Sequence, residues 1–272
     1  MKRFALQILA GSMVVTAQPR HTAQFRQSLA PRPLSALVDP NDRVFPDIVE
    51  GGGWETVITF VNMSGSPAQF TLTFYDDNGN PAPMPLLNPD GSVSRFASAD
   101  FALDTNTSTE LVVANVDSSL NSVWSYLSFP GSSAAIAGMA VVRTYDSSNN
   151  VLNESTETLS NIQDFDFFAP FDNLQGVATS IILINPGNSL TSNVRISAQD
   201  SGGNEIVRDR FALPPGTRTT ISLPSSYPPL RGTAGKLRVT GDTNRLSAVC
   251  FRISPAGSLA YSSIFNWSGM FH

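Results

Sequence analysis

The sequence has few charged residues and almost no lysine, cysteine or histidine. Only 14% of its 272 residues are charged, and Lys2 and Lys236 are its only lysines. Nearly all positive charge therefore lies on arginine, whose planar guanidinium favours paired or bidentate contacts. The single cysteine, Cys250, excludes an intramolecular disulfide and is expected to be a small core residue. Low charge together with 19 glycines and 19 prolines is typical of short strands joined by tight turns.

The two histidines, His21 and His272, lie towards opposite ends of the chain. A Ser-His-Asp or Cys-His centre needs a base that packing holds beside its nucleophile, which terminal histidines seldom provide. One cysteine and two distant histidines cannot complete a zinc shell. Carboxylates are numerous, but nothing in their spacing selects a glycosidase pair. We therefore predict a non-catalytic protein without a cofactor or bound metal, with glycoside hydrolysis as a weak alternative.

Acidic residues and asparagines cluster at DDNGN, residues 76–80. An EF-hand loop requires glycine at its sixth position and glutamate at its twelfth, and here the sixth position is Pro81. Similar stretches end other strands, DSSNN at 146–150 and DSGGN at 200–204, so hairpin turns are the favoured interpretation. A calcium site between loops of the acidic half remains an alternative.

The N-terminal residues have the pattern of a signal peptide. A basic pair, an apolar run from Phe4 to Val14 and the sequence V-T-A predict cleavage after Ala17, with an ordinary apolar N-terminus as the alternative. No other stretch approaches the ~18 apolar residues of a membrane span. We therefore expect a secreted or cell-surface protein without a membrane span. Residues 18–44 form a basic arm with four prolines, either a flexible leader or a strand that adds to the sheet edge of a neighbouring molecule.

The chain repeats one pattern of strands. TVITFVN at 56–62 and TSIILIN at 179–185 share apolar residues at three positions, and each is followed by a second strand and a polar turn. Period-two alternation between closely spaced turns is typical of an antiparallel sandwich. The opening strand is apolar on both sides, so we expect it at the centre of its sheet. The first copy has an extra segment, PMPLLNPDGSVSRF, which predicts a long loop or an added hairpin.

We predict an all-β protein of two tandem antiparallel β-sandwich domains of immunoglobulin-like type. The predicted segments are a signal peptide at 1–17, the arm at 18–44, an acidic domain at 45–160, a linker at 161–166, a basic domain at 167–266 and a tail at 267–272. Three aromatic residues lie close to the junction: Phe165, Phe167 and Phe168. We expect them to be buried between the domains and to fix their relative orientation.

The turn and strand motifs resemble those of a known type of repeat. GGGW at 51–54, a T-x-x-x-x-V-N strand, a D-x-x-G-N turn and LPPGTRTTISL at 213–223 resemble repeats of uncharacterised secreted bacterial proteins with tandem immunoglobulin- or fibronectin type III-like sandwiches. The likeness spans about residues 45–265 and is greater in the second copy. Because these motifs form turns and core strands, the resemblance implies a fold rather than a chemistry. It assigns no catalytic, metal or ligand residue.

Charge is divided unevenly between the two halves. Residues 45–160 contain 13 acidic residues and only Arg95 and Arg143, whereas residues 167–266 contain nine basic residues and five acidic ones. Such a dipole favours head-to-tail association, which gives open filaments unless the rotation closes a ring. In one alternative, the halves neutralise each other within one molecule. In another, a cationic face binds an acidic polysaccharide; alternation places Arg195, Lys236 and Arg238 on that outward face.

The three tryptophans, Trp54, Trp124 and Trp267, suggest stacking platforms for sugar rings. Packing is favoured for two of them, because Trp124 alternates with Tyr126 on a strand and Trp54 follows a glycine turn. Trp267 lies in the tail FNWSGMFH and is expected to dock onto the second domain or a partner, since exposed aromatic residues are costly in water.

The leading hypothesis is an exported structural or adhesive protein whose partner is a second copy of itself or a surface polysaccharide. A pair of carbohydrate-binding modules is the main alternative, and we expect no nucleic-acid partner. The candidate contact residues are Arg195, Lys236, Arg238 and Trp267.

Overall fold

The structure is a computed structural model that describes residues 25–27, 42–129, 136–161, 166–187, 189–243, 246–262 and 264–266. Its regular structure is almost entirely β-strand, in four antiparallel sheets, which confirms the predicted all-β sandwich class. In the described ranges the helical segments are helix α1 (Leu223–Ser226) and the 3-10 turns Leu174–Gly176 and Pro228–Leu230. None of these has the length and apolar character needed to cross a bilayer. The predicted signal peptide, Phe165 and Trp267 lie outside the described residues.

The N-terminal half forms two six-stranded sheets. Its strands are β1 (Phe25–Gln27), β2 (Arg43–Glu50), β3 (Trp54–Asn62), β4 (Ala68–Tyr75), β5 (Met84–Leu87), β6 (Val93–Phe96), β7 (Ser98–Leu103), β8 (Ser108–Val113), β9 (Asn121–Ser128), β10 (Ile136–Tyr145), β11 (Val151–Thr158) and β12 (Ser160–Asn161). Sheet I has the strand order β11-β10-β3-β8-β5-β6. Sheet II has the order β1-β7-β4-β9-β2-β12.

The C-terminal half forms two smaller sheets. Its strands are β13 (Asp166–Asp172), β14 (Ala178–Ile184), β15 (Ser192–Asp200), β16 (Glu205–Leu213), β17 (Arg218–Ser222), β18 (Ala234–Thr240), β19 (Ser247–Ile253), β20 (Leu259–Ser262) and β21 (Phe265–Asn266). Sheet III has the order β17-β14-β19-β20, and sheet IV has the order β16-β15-β18-β13-β21.

Strands that match in the sequence repeat occupy the same places in the two halves. The matching strands β7, β4 and β9 of sheet II and β16, β15 and β18 of sheet IV follow the same order. The same holds for β8, β3 and β10 of sheet I and β17, β14 and β19 of sheet III. The opening strands β3 and β14 are internal to their sheets, as their two apolar faces predict. The extra segment of the first copy forms the β5–β6 hairpin at the edge of sheet I.

One polar position of the repeat stabilises turns in both halves. Asn62 donates hydrogen bonds to the carbonyl oxygens of Ser66, Leu103 and Asp104, and the matching Asn185 donates to those of Leu190 and Leu213. Both asparagines are buried, so these bonds satisfy amide groups that would otherwise be costly to enclose.

Each pair of sheets encloses its own apolar core. Sheets I and II enclose a core whose central residues include Ile58, Phe60, Phe70, Leu72 and Leu111. Sheets III and IV enclose a second core that includes Ile181, Leu183, Ile196, Leu237 and Val239.

A third apolar cluster joins the two halves. The outer face of sheet II contributes Val44, Tyr75, Trp124 and Tyr126, and the outer face of sheet III contributes Ile182, Ile184, Val249 and Phe251. The sheets therefore stack in the order I, II, III, IV, with the outer faces of sheets I and IV at opposite ends. At one edge, β11 of sheet I also reaches β20 of sheet III, where the Asn153 amide donates to the Leu259 carbonyl oxygen at 2.8 Å.

The aromatic residues near the junction do not form this contact, so that prediction was wrong for the two that the structure describes. Phe167 is buried in the core between sheets III and IV, and Phe168 lies on the outer face of sheet IV. The alternation along β13 turns neighbouring side chains to opposite faces, which the count of aromatic residues alone does not reveal.

Part of the N-terminal arm adds a strand to the sheet of its own chain. β1 pairs with the edge strand β7, and Phe25 packs against Phe96 and Phe101 with ring centroids 5.9 Å from each. This pairing covers an edge whose backbone groups would otherwise be open to another chain.

Candidate binding surface

The outer face of sheet IV brings together three of the predicted contact residues. Lys236 and Arg238 alternate on β18, Arg195 lies on the neighbouring β15, and all three are exposed. Arg238 pairs in register with Ser197, and Arg195 lies two residues away on the same face. The three cations line one open groove of about 920 Å³. The fourth predicted contact residue, Trp267, lies outside the described residues.

Two further arginines extend this cationic face across β16. Arg210 pairs in register with Arg195, and Arg208 pairs with Ser197. Both line the same groove, and both are exposed. Sequence reasoning missed them, although the alternation in VRDRF was a usable signal: it turns both arginines to one face and Asp209 to the other, where the Tyr227 hydroxyl donates to it at 2.8 Å.

Arg238 is held in place by an acidic and an aromatic neighbour. Its Nε and Nη2 donate to the two carboxylate oxygens of Asp166 at 3.0 and 2.7 Å, a bidentate fork that raises the pKa of Arg238. The guanidinium carbon also lies 5.2 Å from the centre of the Phe168 ring, and Lys236 Nζ lies 5.8 Å from the same ring. The ring and the carboxylate therefore orient two cations towards the groove.

Other cations of this face remain available to a partner. Within the described ranges, Arg195, Arg210 and Lys236 form no ion pair within 4 Å, whereas Glu205 is paired with Arg208 at 2.8 Å. Asp242 accepts hydrogen bonds from the Asn193 amide groups, which lower the pKa of this carboxyl. The face therefore presents an excess of positive charge.

One arginine of the C-terminal half is buried and ion-paired within the contact between the halves. Arg218 on β17 is only 4% exposed at its side chain. Its Nε donates to Asp77 Oδ1 at 2.6 Å, and its Nη1 and Nη2 donate to Oγ and O of Ser122 at 2.9 and 3.0 Å. Asp47 Oδ1 lies 3.5 Å from Nη1. Neutralisation within one molecule thus accounts for Arg218, but the exposed cations on the outer face of sheet IV point away from this contact.

Two buried carboxyl groups lie beside Arg218. Asp47 accepts hydrogen bonds from the hydroxyls of Ser122 and Tyr261, while neither carboxyl oxygen of Glu157 has a well-formed hydrogen bond. Burial raises the pKa of both groups, and the charge of Asp47 raises the pKa of Glu157 further. Burial also raises the pKa of Tyr261, the hydroxyl that donates to Asp47.

We expect this buried pair to make the protein less stable as the pH rises above the range in which an ordinary glutamate titrates. The folded state holds the Glu157 proton above the pH at which the unfolded chain releases it, so unfolding becomes easier as the pH increases between the two pKa values. Glu157→Gln should reduce that decline by on the order of 1 kcal/mol. Urea unfolding of both proteins at several pH values measures how the free energy of unfolding declines with pH.

The exposed Asp90→Asn variant is the control for this measurement. Hydrogen bonds from Ser92 lower the pKa of Asp90, so its titration lies below the tested range. A decline with pH that is equally steep in the Glu157→Gln variant would contradict the assignment.

The aspartates of the acidic turns accept hydrogen bonds from backbone N–H groups of the same turn. Asp76 Oδ1 accepts from the backbone N–H groups of Asn78 and Asn80, and Asp146 accepts from those of Ser148 and Asn150 in the same way. Asp200 accepts from the backbone N–H of Asn204. These are the hairpin turns that the sequence predicts. Among the described residues, no three His, Cys, Asp or Glu side chains are grouped so that they could hold a metal ion.

Two of the tryptophans and the cysteine pack as the sequence indicates. Trp124 is fully buried, stacks on Tyr75 with ring centroids 4.7 Å apart, and donates from Nε1 to the Asp76 carbonyl oxygen at 2.9 Å. Trp54 is partly buried against the same cluster. Cys250 is a buried free cysteine, and burial raises the pKa of its thiol to about 12, which makes it unreactive.

Comparison with known proteins adds no family. No family profile and no curated protein matches the chain. Among solved structures, an apo-form lectin of Pleurotus ostreatus is 11% identical, with 92% of this chain and 86% of the lectin covered and a TM-score of 0.17. A vicilin of Solanum melongena is 9% identical, with 84% of each chain covered and the same TM-score. Similarity at this level supports no inference about function.

Proposed function

We propose that the protein is a non-catalytic structural or adhesive component, exported to the cell surface or the extracellular space. Its copies associate head to tail through the cationic face of sheet IV and the acidic N-terminal half of the next copy. The observation that supports this proposal most is the placement of charge. Arg195, Arg210 and Lys236 lie on a face that the contact between the halves leaves uncovered, while 13 acidic residues lie in the other half.

We also propose that the two halves are tandem immunoglobulin-like domains of the kind found in secreted bacterial repeat proteins. Support comes from the equal order of matching strands in sheets II and IV and in sheets I and III. The buried contact through Trp124 and Arg218 holds the halves in one orientation, so the charged ends keep a fixed direction.

Salt dependence tests the proposed association. Raising the salt from ~20 mM to ~500 mM shortens the Debye length to a few ångströms and should dissolve contacts between exposed charges. We expect sedimentation velocity of the full chain to show large species at low salt and monomer at high salt. The double variant Arg195→Glu, Lys236→Glu should be monomeric at every salt concentration.

The control is Arg231→Glu, since Arg231 is exposed outside the groove and donates to the Pro224 carbonyl oxygen. It should associate like the unmodified chain. A chain that stays monomeric at every salt and concentration would overturn the proposal.

An acidic polysaccharide is the second candidate partner, favoured by the concave shape of the groove and by the Phe168 ring at its base. Polygalacturonate, a carboxylated polysaccharide, is a suitable probe. This candidate would be favoured over self-association if the unmodified chain binds polygalacturonate while it remains monomeric, and if the double variant Arg195→Glu, Lys236→Glu no longer binds it.

A further inference from the structure

The contact between the two halves shows which sheet faces of this fold fit together. It joins the outer face of sheet II to the outer face of sheet III. By strand order, sheet IV is the counterpart of sheet II, and sheet I is the counterpart of sheet III. The outer faces of sheets IV and I, at the two ends of the stack, therefore correspond to the faces of sheets II and III that are in contact. They point in opposite directions.

The outer face of sheet I keeps apolar side chains at two of three docking positions. Ile182, Ile184 and Val249 of sheet III are buried against sheet II. Their counterparts on sheet I, by strand register and repeat, are Thr59, Val61 and Met139. Val61 is 36% exposed and Met139 is 40% exposed. They flank an apolar row across the sheet, whose three valines are themselves buried: Leu87, Val112, Val57 and Val141.

Sheet I differs from its counterpart by the addition of negative charge. Glu110 pairs in register with Thr59, at the position that Thr220 occupies beside Ile182 in sheet III. Glu55 likewise stands where sheet III has Ala178.

Sheet IV differs from its counterpart by the addition of positive charge. The strand register in the two halves places Arg195 at the position of Thr71, Lys236 at that of Trp124 and Arg238 at that of Tyr126. Trp124 and Tyr126 are buried between the halves, whereas Lys236 and Arg238 are exposed on the end face. One end face has thus gained an excess of acids, since Arg143 beside Glu55 is itself ion-paired with Glu154 at 2.7 Å, and the other has gained bases.

We propose that the outer face of sheet I of one copy docks on the outer face of sheet IV of the next, repeating between molecules the contact that joins sheets II and III within one. This inference rests on the proposed head-to-tail association and specifies its acceptor. In this contact the acidic residues of sheet I, Glu55 and Glu110, meet Arg195 and Lys236 of the next copy. The apolar residues Val61 and Met139 of sheet I face Phe168 and the half-exposed Phe265 on sheet IV of that copy. Every copy buries both ends, so the assembly is an unbranched fibre.

Charge exchange between the two faces tests this docking. One variant carries Arg195→Glu and Lys236→Glu, and the other carries Glu55→Lys and Glu110→Lys. Like charges directly opposed cost several kcal/mol, so each variant alone should associate about 100-fold more weakly than the unmodified chain. A mixture of the two variants presents opposite charges at both contacts. We expect the mixture to recover large species in sedimentation velocity at low salt.

The outcomes separate this inference from the proposed function. If the sheet IV variant is monomeric but Glu55→Lys with Glu110→Lys associates normally, and mixing has no effect, docking on sheet I is wrong while association through sheet IV stands. If the unmodified chain does not associate, both fail.

The control for sheet I is Asp90→Lys with Asp104→Lys, two exposed turn residues outside that face, and it should associate normally. If the double variant of sheet I is poorly folded, Glu110→Lys alone serves, and its failure to weaken association contradicts the docking.

Discussion

Replacing Arg218 with methionine is expected to lower the free energy of unfolding by about 3–5 kcal/mol, because removal of one partner from a buried ion pair leaves the other charge uncompensated. Asp47 would lose its cation while fully buried, and Glu157 lies beside it. The backbone oxygens of Pro46 and Ser122 would lose donors as well. A chain of this size should then melt roughly 10 °C lower. Denaturant unfolding and calorimetry measure both quantities.

An exposed arginine supplies the control for this variant. Arg252 forms an ion pair with Asp172 at 3.3 Å, with its side chain 45% exposed. Arg252→Met should change the free energy of unfolding by less than about 1 kcal/mol, since surface ion pairs contribute little. Equal effects of the two variants would show that Arg218 does not stabilise the contact between the halves.

Replacing Trp124 with alanine should destabilise the protein by about 3–5 kcal/mol and uncouple its two halves. The indole is fully buried, but it lies between sheets II and III rather than in either core. The cores around Phe60 and Leu183 should therefore remain folded while the contact between them loosens. We expect calorimetry to resolve two transitions where the unmodified chain shows one.

Trp124→Phe retains most of the apolar contact and serves as the matched variant, with an expected loss of less than half that of Trp124→Ala. A single sharp transition in the Trp124→Ala protein, with a loss below about 1 kcal/mol, would contradict the role given to this cluster.

The all-β class and the internal position of two strands were predictable from the sequence, whereas the order of the other strands was not. Period-two alternation located the strands, and the doubly apolar runs of β3 and β14 predicted their internal positions. The turns at Asp76, Asp146 and Asp200 were identified for a local reason, because an aspartate with an asparagine four residues later satisfies its hydrogen bonds within the turn.

The contact between the halves was less predictable, because it depends on which outward faces meet. Trp124 and Tyr126 were expected to pack, but alternation alone does not say whether a buried side chain lies in a core or between sheet pairs. Arg218 sits in the repeat motif where the first copy has Ser108, and only the approach of Asp77 from the other half explains why a charge is tolerated there.

The cationic face was predicted in part. Alternation along β15 and β18 identified Arg195, Lys236 and Arg238, since neighbouring strands align their outward residues. Arg208 and Arg210 were missed, although the predicted hairpin turn at 200–204 places their strand beside β15 and alternation turns both to the same face. The fork between Arg238 and Asp166 required the register of β13 on β18, which residue spacing does not fix.

Electron microscopy of the full chain at low ionic strength tests most directly the claim that the end faces of sheets I and IV join successive copies. Four stacked sheets about 10 Å apart predict fibres that repeat every ~40 Å along their length and dissolve at high salt. Isolated particles at every protein concentration, or fibres whose repeat does not fit one four-sheet stack per copy, would contradict it.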